Sequence, residues 1–242
     1  MRKLVIIPTY NEKENIAAMI SKVFSLEEEF DLLVIDDGSP DGTATIVRDH
    51  QAKFPGRLHL VERSGKQGLG TAYLAGFRWG LDHGYDYICE MDCDFSHNPD
   101  DLVRLYRAAA EGNDVVIGSR YVQGGNVVNW PMSRLLMSYF ASVYVRTVTG
   151  IPVRDATAGF VCYSRRALET IDLDAIRMKG YGFQIEMKYT AWKLGLRLKE
   201  VSIIFVERRE GISKMSGGIF REAFFGVLGL PFRTIRKAAG RQ

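Results

Sequence analysis

Residues 87–94 read YICEMDCD, a short apolar run that ends in two aspartates, Asp92 and Asp94. The same arrangement recurs through the first half of the chain, where an apolar run, a polar loop and a helical pattern follow one another. Continuous apolar strands that alternate with helices are buried on both faces, which is typical of a parallel sheet. The sequence therefore predicts an α/β, Rossmann-like fold with a mostly parallel central sheet flanked by helices.

The polar loops share one position in this predicted fold. Tyr10, Asp37, Asp94 and Arg120 each lie just beyond the carboxyl end of a predicted strand. In an open α/β sheet, that edge holds the ligand crevice. We therefore expect the functional site there. The spacing of Asn11 and Glu14 also predicts a capping box that opens the first helix.

The acidic pair is the most informative feature. Asp92 and Asp94 share one face if the strand continues through them, and a following turn also aims both inward. Carboxylates so placed supply the hard oxygen ligands of Mg²⁺ or Mn²⁺, ions that bridge phosphate oxygens. The same residues are also expected at a solvated strand end whose side chain caps the next helix, which is the alternative interpretation. The neighbouring polar loops favour the metal interpretation.

Composition and motifs exclude several classes of protein. Thirty-two basic and 29 acidic residues leave a net charge of +3, too little for a dedicated nucleic-acid binder. The three cysteines form no CxxC pair and no HExxH motif occurs, so neither a disulfide framework nor a zinc site is expected. Gly65–Gly70 lacks the P-loop pattern, and the first βα turn has no glycine fingerprint. A kinase, a GTPase and a dehydrogenase are thereby disfavoured.

The second half of the chain is less regular. We predict helices at 131–149 and near 183–194, a loop at 155–159 and a strand at 201–206. The N-terminal apolar run is too short for a signal peptide, and the longest uncharged apolar stretch has ten residues, about 15 Å as a helix against a bilayer core of about 30 Å. We predict one catalytic domain over residues 1–216 and a basic C-terminal extension over residues 217–242.

Several motifs occur in the order found in one known family. They are PTYNE at 8–12, DDGSPDGT at 36–43, GLGTAY at 68–73, MDCDFSH at 91–97, GSRY at 118–121, GYGFQIEM at 180–187, and FVER at 205–208 leading to Ser213-Lys214. Over about residues 3–216 the chain resembles the dolichol-phosphate (polyprenol-phosphate) mannosyltransferases, inverting nucleotide-sugar glycosyltransferases of A-type fold. The early motifs are common to many glycosyltransferases, whereas the last one narrows the resemblance to polyprenol-phosphate sugar synthases.

The resemblance implies transfer of mannose from GDP-mannose to dolichol or polyprenol phosphate with inversion. By position, it assigns the nucleoside contacts to Pro8, Tyr10, Glu12, Ile35 and Asp37. It places Asp92, Cys93 and Asp94 beside the diphosphate and its Mg²⁺ or Mn²⁺, with Arg120, Arg208 and Lys214 as phosphate contacts. Cys93 stands where this family usually has alanine. Asp94, Arg120, Arg208 and Lys214 are the expected catalytic residues, and Asp92 and Asp94 the expected metal ligands.

The charge of the acceptor decides which residues matter most. A phosphate monoester carries about −1.5 to −2 charges near neutral pH and needs no general base. Neutralising its repulsion from the donor therefore outweighs proton transfer. Arg134 and Ser138 are the expected acceptor contacts, although a surface arginine would fit the same pattern for Arg134. Glu186 is a weaker candidate for a sugar contact, and His97 is expected to stabilise its loop.

A lipid acceptor also predicts contact with a membrane. The apolar stretches 132–148 and 219–232 have Arg and Lys at their edges, a composition typical of interfacial helices. Ordinary core packing of both helices is the alternative. We expect a peripheral protein on the cytoplasmic face of a membrane, with no nucleic-acid partner. A glucosyltransferase that uses UDP-glucose is an alternative with the same chemistry. A non-catalytic nucleotide-binding module is a second alternative, but it agrees less well with the carboxylates and cations that are present. Metal preference and oligomeric state also stay open.

Overall fold

Seven strands pair into one sheet because their side chains are apolar on both faces. In the computed structural model, which describes residues 1–207 and 217–238 (217–222 without side chains), Leu4–Ile7 are fully buried. Leu4 and Ile6 belong to one hydrophobic cluster, and Val5 and Ile7 to another on the opposite face. The strands are β1 (Lys3–Thr9), β2 (Asp31–Asp36), β3 (Leu58–Glu62), β4 (Tyr87–Glu90), β5 (Val115–Ser119), β6 (Asn126–Val128), β7 (Val161–Ser164), β8 (Leu198–Ser202) and β9 (Ile204–Val206).

The strand order confirms a mostly parallel sheet. It runs β3-β2-β1-β4-β7-β5-β8, and every neighbouring pair is parallel except those of β7, which is antiparallel to β4 and β5. Strands β6 and β9 form a separate, parallel pair. The helices are α1 (Ile16–Phe24), α2 (Thr43–Gln51), α3 (Leu69–Asp82), α4 (Asp101–Ala110), α5 (Met132–Thr149), α6 (Arg165–Thr170), α7 (Gly182–Lys193) and α8 (Gly217–Gly229).

Two local predictions are wrong. The predicted strand at 201–206 is divided between two sheets, because the chain leaves β8 at Ile203 and β9 then pairs with β6. Helix α1 begins at Ile16 instead of next to Asn11, so the capping box does not form. Asn11 adopts a left-handed φ of 56°, and the Glu12 carbonyl accepts from the N–H groups of Asn15 and Ile16.

The described part of the C-terminal extension packs against the rest of the chain. Helix α8 lies against α5 and α7, and the Tyr144 hydroxyl donates to the Phe224 carbonyl at 2.9 Å. Further on, the Ala238 N–H donates to the Thr170 carbonyl at 3.0 Å. Among the helices in the described ranges, none combines the length and apolarity needed to cross a bilayer.

Candidate active site at the carboxyl edge of the sheet

The loops that follow β1 and β2 meet at one side of the site. Pro8 pairs with Ile35 in the sheet, and the Asp37 N–H donates to the Thr9 carbonyl at 3.0 Å. In the next loop, the Glu12 N–H donates to Thr43 Oγ1. The structure therefore brings together the segments that carry the five predicted nucleoside contacts. The side chain of Ile35 is buried in the core, so it belongs to the packing beneath this edge.

Asp37 has a partner that the sequence analysis did not identify. Arg63 Nε lies 2.6 Å from Asp37 Oδ1, and both side chains are about one-tenth exposed. Arg63 Nη1 also donates to Thr71 Oγ1 at 2.9 Å, which ties this loop to the start of α3. The Lys66 ammonium lies 5.4 Å from the centre of the Tyr10 ring. Asp37 is thus fixed by its partner, and Tyr10 lies beside the Lys66 ammonium.

The acidic pair lies on a turn and not on a strand. Strand β4 ends at Glu90, so the face-sharing expected of a continued strand does not apply to Asp92 and Asp94. Phe95 takes a left-handed φ of 58°, a conformation that non-glycine residues adopt rarely and often at functional sites. Asp94 is buried and accepts from the Ser96 N–H, whereas the Asp92 side chain is 41% exposed. Both aspartates line the same cavity.

The neighbours of the acidic pair stabilise this turn. Cys93 packs its side chain into the hydrophobic core. The His97 ring stacks on Phe160, with centroids 4.9 Å apart, and its Nδ1 lies 3.4 Å from the Asp92 backbone nitrogen. Burial lowers the pKa of His97 to about 4, which keeps the ring neutral at neutral pH. This geometry agrees with the loop-stabilising role expected for His97.

A cavity of about 810 Å³ extends from the acidic turn towards α5 and α8. One end is charged, and the other is formed by apolar side chains of both helices, including Phe140, Tyr144, Phe224 and Val227. On the same helices and just after α8, large hydrophobic side chains are exposed: Leu136, Met137, Tyr139, Phe225, Leu228 and Phe232. The cavity therefore joins a polar centre to an apolar surface.

Arg120 lines the cavity but is tightly paired. Its Nε and Nη2 donate to the two carboxylate oxygens of Asp155 at 2.7 and 2.6 Å, and Nη2 also donates to Thr157 Oγ1. Asp155 is fully buried. Burial opposes ionisation of this carboxyl, but the Arg120 guanidinium prevails and lowers the pKa of Asp155. The predicted phosphate contact is therefore held in one orientation by a buried carboxylate.

Arg134 and Ser138, the predicted acceptor contacts, also line the cavity. Arg134 Nη1 donates to both carboxylate oxygens of Glu207, and its guanidinium carbon lies 4.3 Å from the centre of the Trp130 ring. The side chains of Arg134 and Glu207 are about 30% exposed. Unlike Arg120, Arg134 has its partner on the cavity surface.

A buried polar network lies behind the cavity wall. Gln184 Nε2 donates to Glu90 Oε2 at 2.7 Å, and Lys188 Nζ donates to the Ala158 carbonyl at 2.6 Å. Burial raises the pKa of Glu90 to about 8 and lowers that of Lys188 to about 8. Gln184 lines the cavity, so this network fixes one of its wall residues.

The surroundings of Glu186 indicate a structural role and not the predicted sugar contact. It is buried, does not line the cavity, and accepts from the N–H groups of Arg177 and Met178 at 3.0 and 2.8 Å. Its other oxygen pairs with Arg233. Glu186 therefore connects α7 to the loop before it and to the C-terminal segment. Arg208 and Lys214 lie outside the described residues.

The acidic turn fits a divalent cation that binds together with a phosphorylated ligand. Within residues 1–207 and 217–238, no group of three or more His, Cys, Asp or Glu side chains could hold a metal by itself. Mg²⁺ typically takes one or two protein carboxylates and completes its shell with water and substrate phosphates. Asp92 and Asp94 match that donor set in number and in chemistry.

This chain is similar to a known protein family and, over most of its length, to individual members of known function. Residues 4–172 match the model for glycosyl transferase family 2. A polyprenol monophosphomannose synthase of Mycolicibacterium smegmatis is 49% identical over 93% of this chain and 85% of its own length. An undecaprenyl-phosphate mannosyltransferase of Micrococcus luteus is 50% identical over 94% of this chain and 93% of its own length.

The fold also matches solved structures. The glucosyl-3-phosphoglycerate synthase of Mycobacterium tuberculosis, solved with Mn²⁺, UDP-glucose and phosphoglyceric acid, superposes with a TM-score of 0.72. The match covers 96% of this chain and 80% of the other, at 19% sequence identity. A likeness at this identity establishes the fold, which agrees with the predicted A-type architecture.

Proposed function

The chain belongs to glycosyl transferase family 2, and on this premise we propose that it transfers mannose from GDP-mannose to a polyprenol phosphate with inversion at the anomeric carbon. The observation that carries the proposal is the cavity, whose charged end holds Asp92 and Asp94 and whose other end opens onto exposed apolar side chains of α5 and α8. A phosphate joined to a long hydrocarbon chain likewise has one charged end and one apolar end. The two mannosyltransferase relatives, near 50% identity, support the choice of sugar and acceptor.

The reaction consists of one displacement. An oxygen of the acceptor phosphate attacks the anomeric carbon of mannose, the bond to the diphosphate breaks, and GDP leaves with the electron pair. A dianion about 5 Å from a diphosphate with two negative charges meets repulsion of ~13 kcal/mol at an effective dielectric constant of 20, whereas a general base contributes roughly 3–5 kcal/mol. Charge compensation is therefore the main task of the site.

The described residues do not supply that compensation alone. The charged residues of the cavity lining comprise three carboxylates and two guanidinium groups, and Asp155 and Glu207 already bind the latter. Asp92 and Asp94 would hold Mg²⁺ or Mn²⁺, which supplies positive charge against the donor diphosphate. Arg208 and Lys214 are proposed as further phosphate contacts, and Arg120 and Arg134 as contacts on the acceptor side.

We place the enzyme at the cytoplasmic surface of a membrane. Exposed Phe225, Leu228 and Phe232 lie close in sequence to the exposed basic residues Arg236 and Lys237. Apolar side chains with a basic fringe bind the interface of anionic bilayers. In this position, the apolar end of the cavity would receive the lipid and the polar end would stay in contact with the soluble donor.

The test is a transfer assay on the purified protein. Radiolabelled GDP-mannose or UDP-glucose is supplied with and without undecaprenyl phosphate, with Mn²⁺, with Mg²⁺ or with a chelator. We expect lipid-linked mannose only when acceptor and metal are both present. Transfer from UDP-glucose alone would replace the mannosyl proposal with a glucosyl one. Nucleotide binding without transfer from either donor would indicate a non-catalytic module.

A further inference from the structure

The two arginines of the cavity are paired in different ways. Arg120 binds Asp155, and the side chains are 9% and 0% exposed, so this partner lies behind the wall and out of reach of a ligand. Arg134 binds Glu207, which is itself part of the cavity lining and is about 30% exposed. Exposed ion pairs are weak and readily exchanged, whereas a buried pair is costly to break.

Glu207 presents anionic oxygens to Arg134, as an incoming phosphate would. Both of its carboxylate oxygens accept from Arg134 Nη1. The Trp130 ring also holds the Arg134 side chain by a cation–π contact. A phosphate that reaches Arg134 from the cavity therefore competes with Glu207 and does not meet an unoccupied cation.

We infer that Glu207 occupies the acceptor-phosphate position on Arg134 and is displaced by the acceptor. The inference rests on the proposed function. The acceptor is a phosphate monoester with a charge approaching −2, while the product is a phosphodiester with a charge of −1. Both are anions that can replace the carboxylate on the guanidinium, and its occupancy by Glu207 lowers the affinity of each by the same factor. Glu207 therefore holds Arg134 until the acceptor arrives and returns to it when the product leaves.

The experiment compares two soluble probes by calorimetry, farnesyl phosphate and its methyl diester, in the presence of Mn²⁺ and GDP. In the wild type we expect the monoester to bind more tightly than the diester. In Glu207→Gln, which keeps the shape and removes the charge, both probes should gain affinity by a similar factor of about fivefold or more. Lys199 and Glu111 form an exposed ion pair, and neither residue lines the cavity. Glu111→Gln is therefore the matched control and should change neither affinity.

The outcomes separate this inference from the proposed function. No change or weaker binding of both probes in Glu207→Gln would overturn the inference, because Glu207 would then only position Arg134. In an Arg134→Gln background, Glu207→Gln should have no further effect, and a retained gain in affinity would contradict the exchange, because Glu207 would then only repel the ligand. Tighter binding of both probes in Glu207→Gln without transfer from GDP-mannose would instead refute the mannosyl proposal and leave the exchange supported.

Discussion

The proposed donor side and the proposed acceptor side of the site are built differently. On the proposed donor side, around β1, β2 and β3, the loops bind one another through polar contacts such as Asn11 N–H to Ser39 Oγ and Glu12 N–H to Thr43 Oγ1. On the acceptor side, between β5, α5 and α8, the ion pairs join remote segments, and large apolar side chains stay exposed. A rigid polar rim suits a soluble nucleotide, whereas an apolar opening suits a lipid.

The largest expected effect is on the turn where the two sides meet. Asp94→Asn removes a charge from the proposed metal site and should lower the transfer rate about 10³-fold, or about 4 kcal/mol, with the fold intact. Initial rates over a Mn²⁺ titration measure it. Asp100→Asn is the matched control, because Asp100 lies on the same loop, is 58% exposed and pairs with Lys22. Near-normal turnover in Asp94→Asn would contradict the metal role.

The buried ion pairs offer a direct comparison of stability between the two sides. Asp155→Ala leaves Arg120 buried without its carboxylate and should lower the free energy of unfolding by about 3–5 kcal/mol. Asp37→Ala should cost less, about 2 kcal/mol, because Asp37 is partly exposed, whereas Asp155 is fully buried and accepts from the backbone N–H, Nε and Nη2 of Arg120. Urea unfolding of both variants measures the difference. Equal losses would show that the two sides are fixed with the same strength.

The pH dependence of stability tests the buried network behind the acceptor side. Burial lowers the pKa of Lys188 to about 8 from an ordinary value of 10.5. Between these values the unfolded chain keeps the proton and the folded chain releases it, so stability rises with pH in this window. Relative to Lys188→Met, the wild type should gain about 2–3 kcal/mol from pH 8 to 10.5. Lys199→Met, at an exposed position, should retain the wild-type slope. If the free energy of unfolding of Lys188→Met has the wild-type dependence on pH, a group other than Lys188 titrates in this window.

The smallest effect concerns the attachment of the C-terminal segment. Arg233→Ala removes one of the partners of Glu186 and should lower the free energy of unfolding by about 1–2 kcal/mol, since two backbone N–H groups still bind this carboxylate. We expect faster proteolysis of the segment, weaker binding to anionic liposomes and unchanged GDP affinity. Sedimentation with liposomes and a GDP titration measure the last two. Reduced GDP affinity would mean that this attachment also supports the donor side.

The donor side could largely be predicted from the sequence, because its polar residues follow strands directly and parallel strands deliver them to one edge. The acidic turn was located by the same reasoning, although its left-handed residue, Phe95, was not. The acceptor-side pairs were missed, since Arg134 and Glu207 are 73 residues apart and no local pattern links them. Asp155 belonged to a segment predicted only as a loop. The motif FVER includes Glu207, but the sequence of the motif does not show which side chain Glu207 contacts.

The direction of β7 determines which connections can alter the cavity. Because β7 is antiparallel to β4 and β5, its first residues lie at the edge where its neighbours end. The segment that enters β7 therefore reaches the cavity with Thr157 and Ala158, while the turn that leaves it, at Ser164 and Arg165, lies at the opposite edge. Lengthening the connection between α5 and β7 would reshape the acceptor side directly. An insertion of the same size after β7 would add bulk on the far side of the sheet, away from the chemistry.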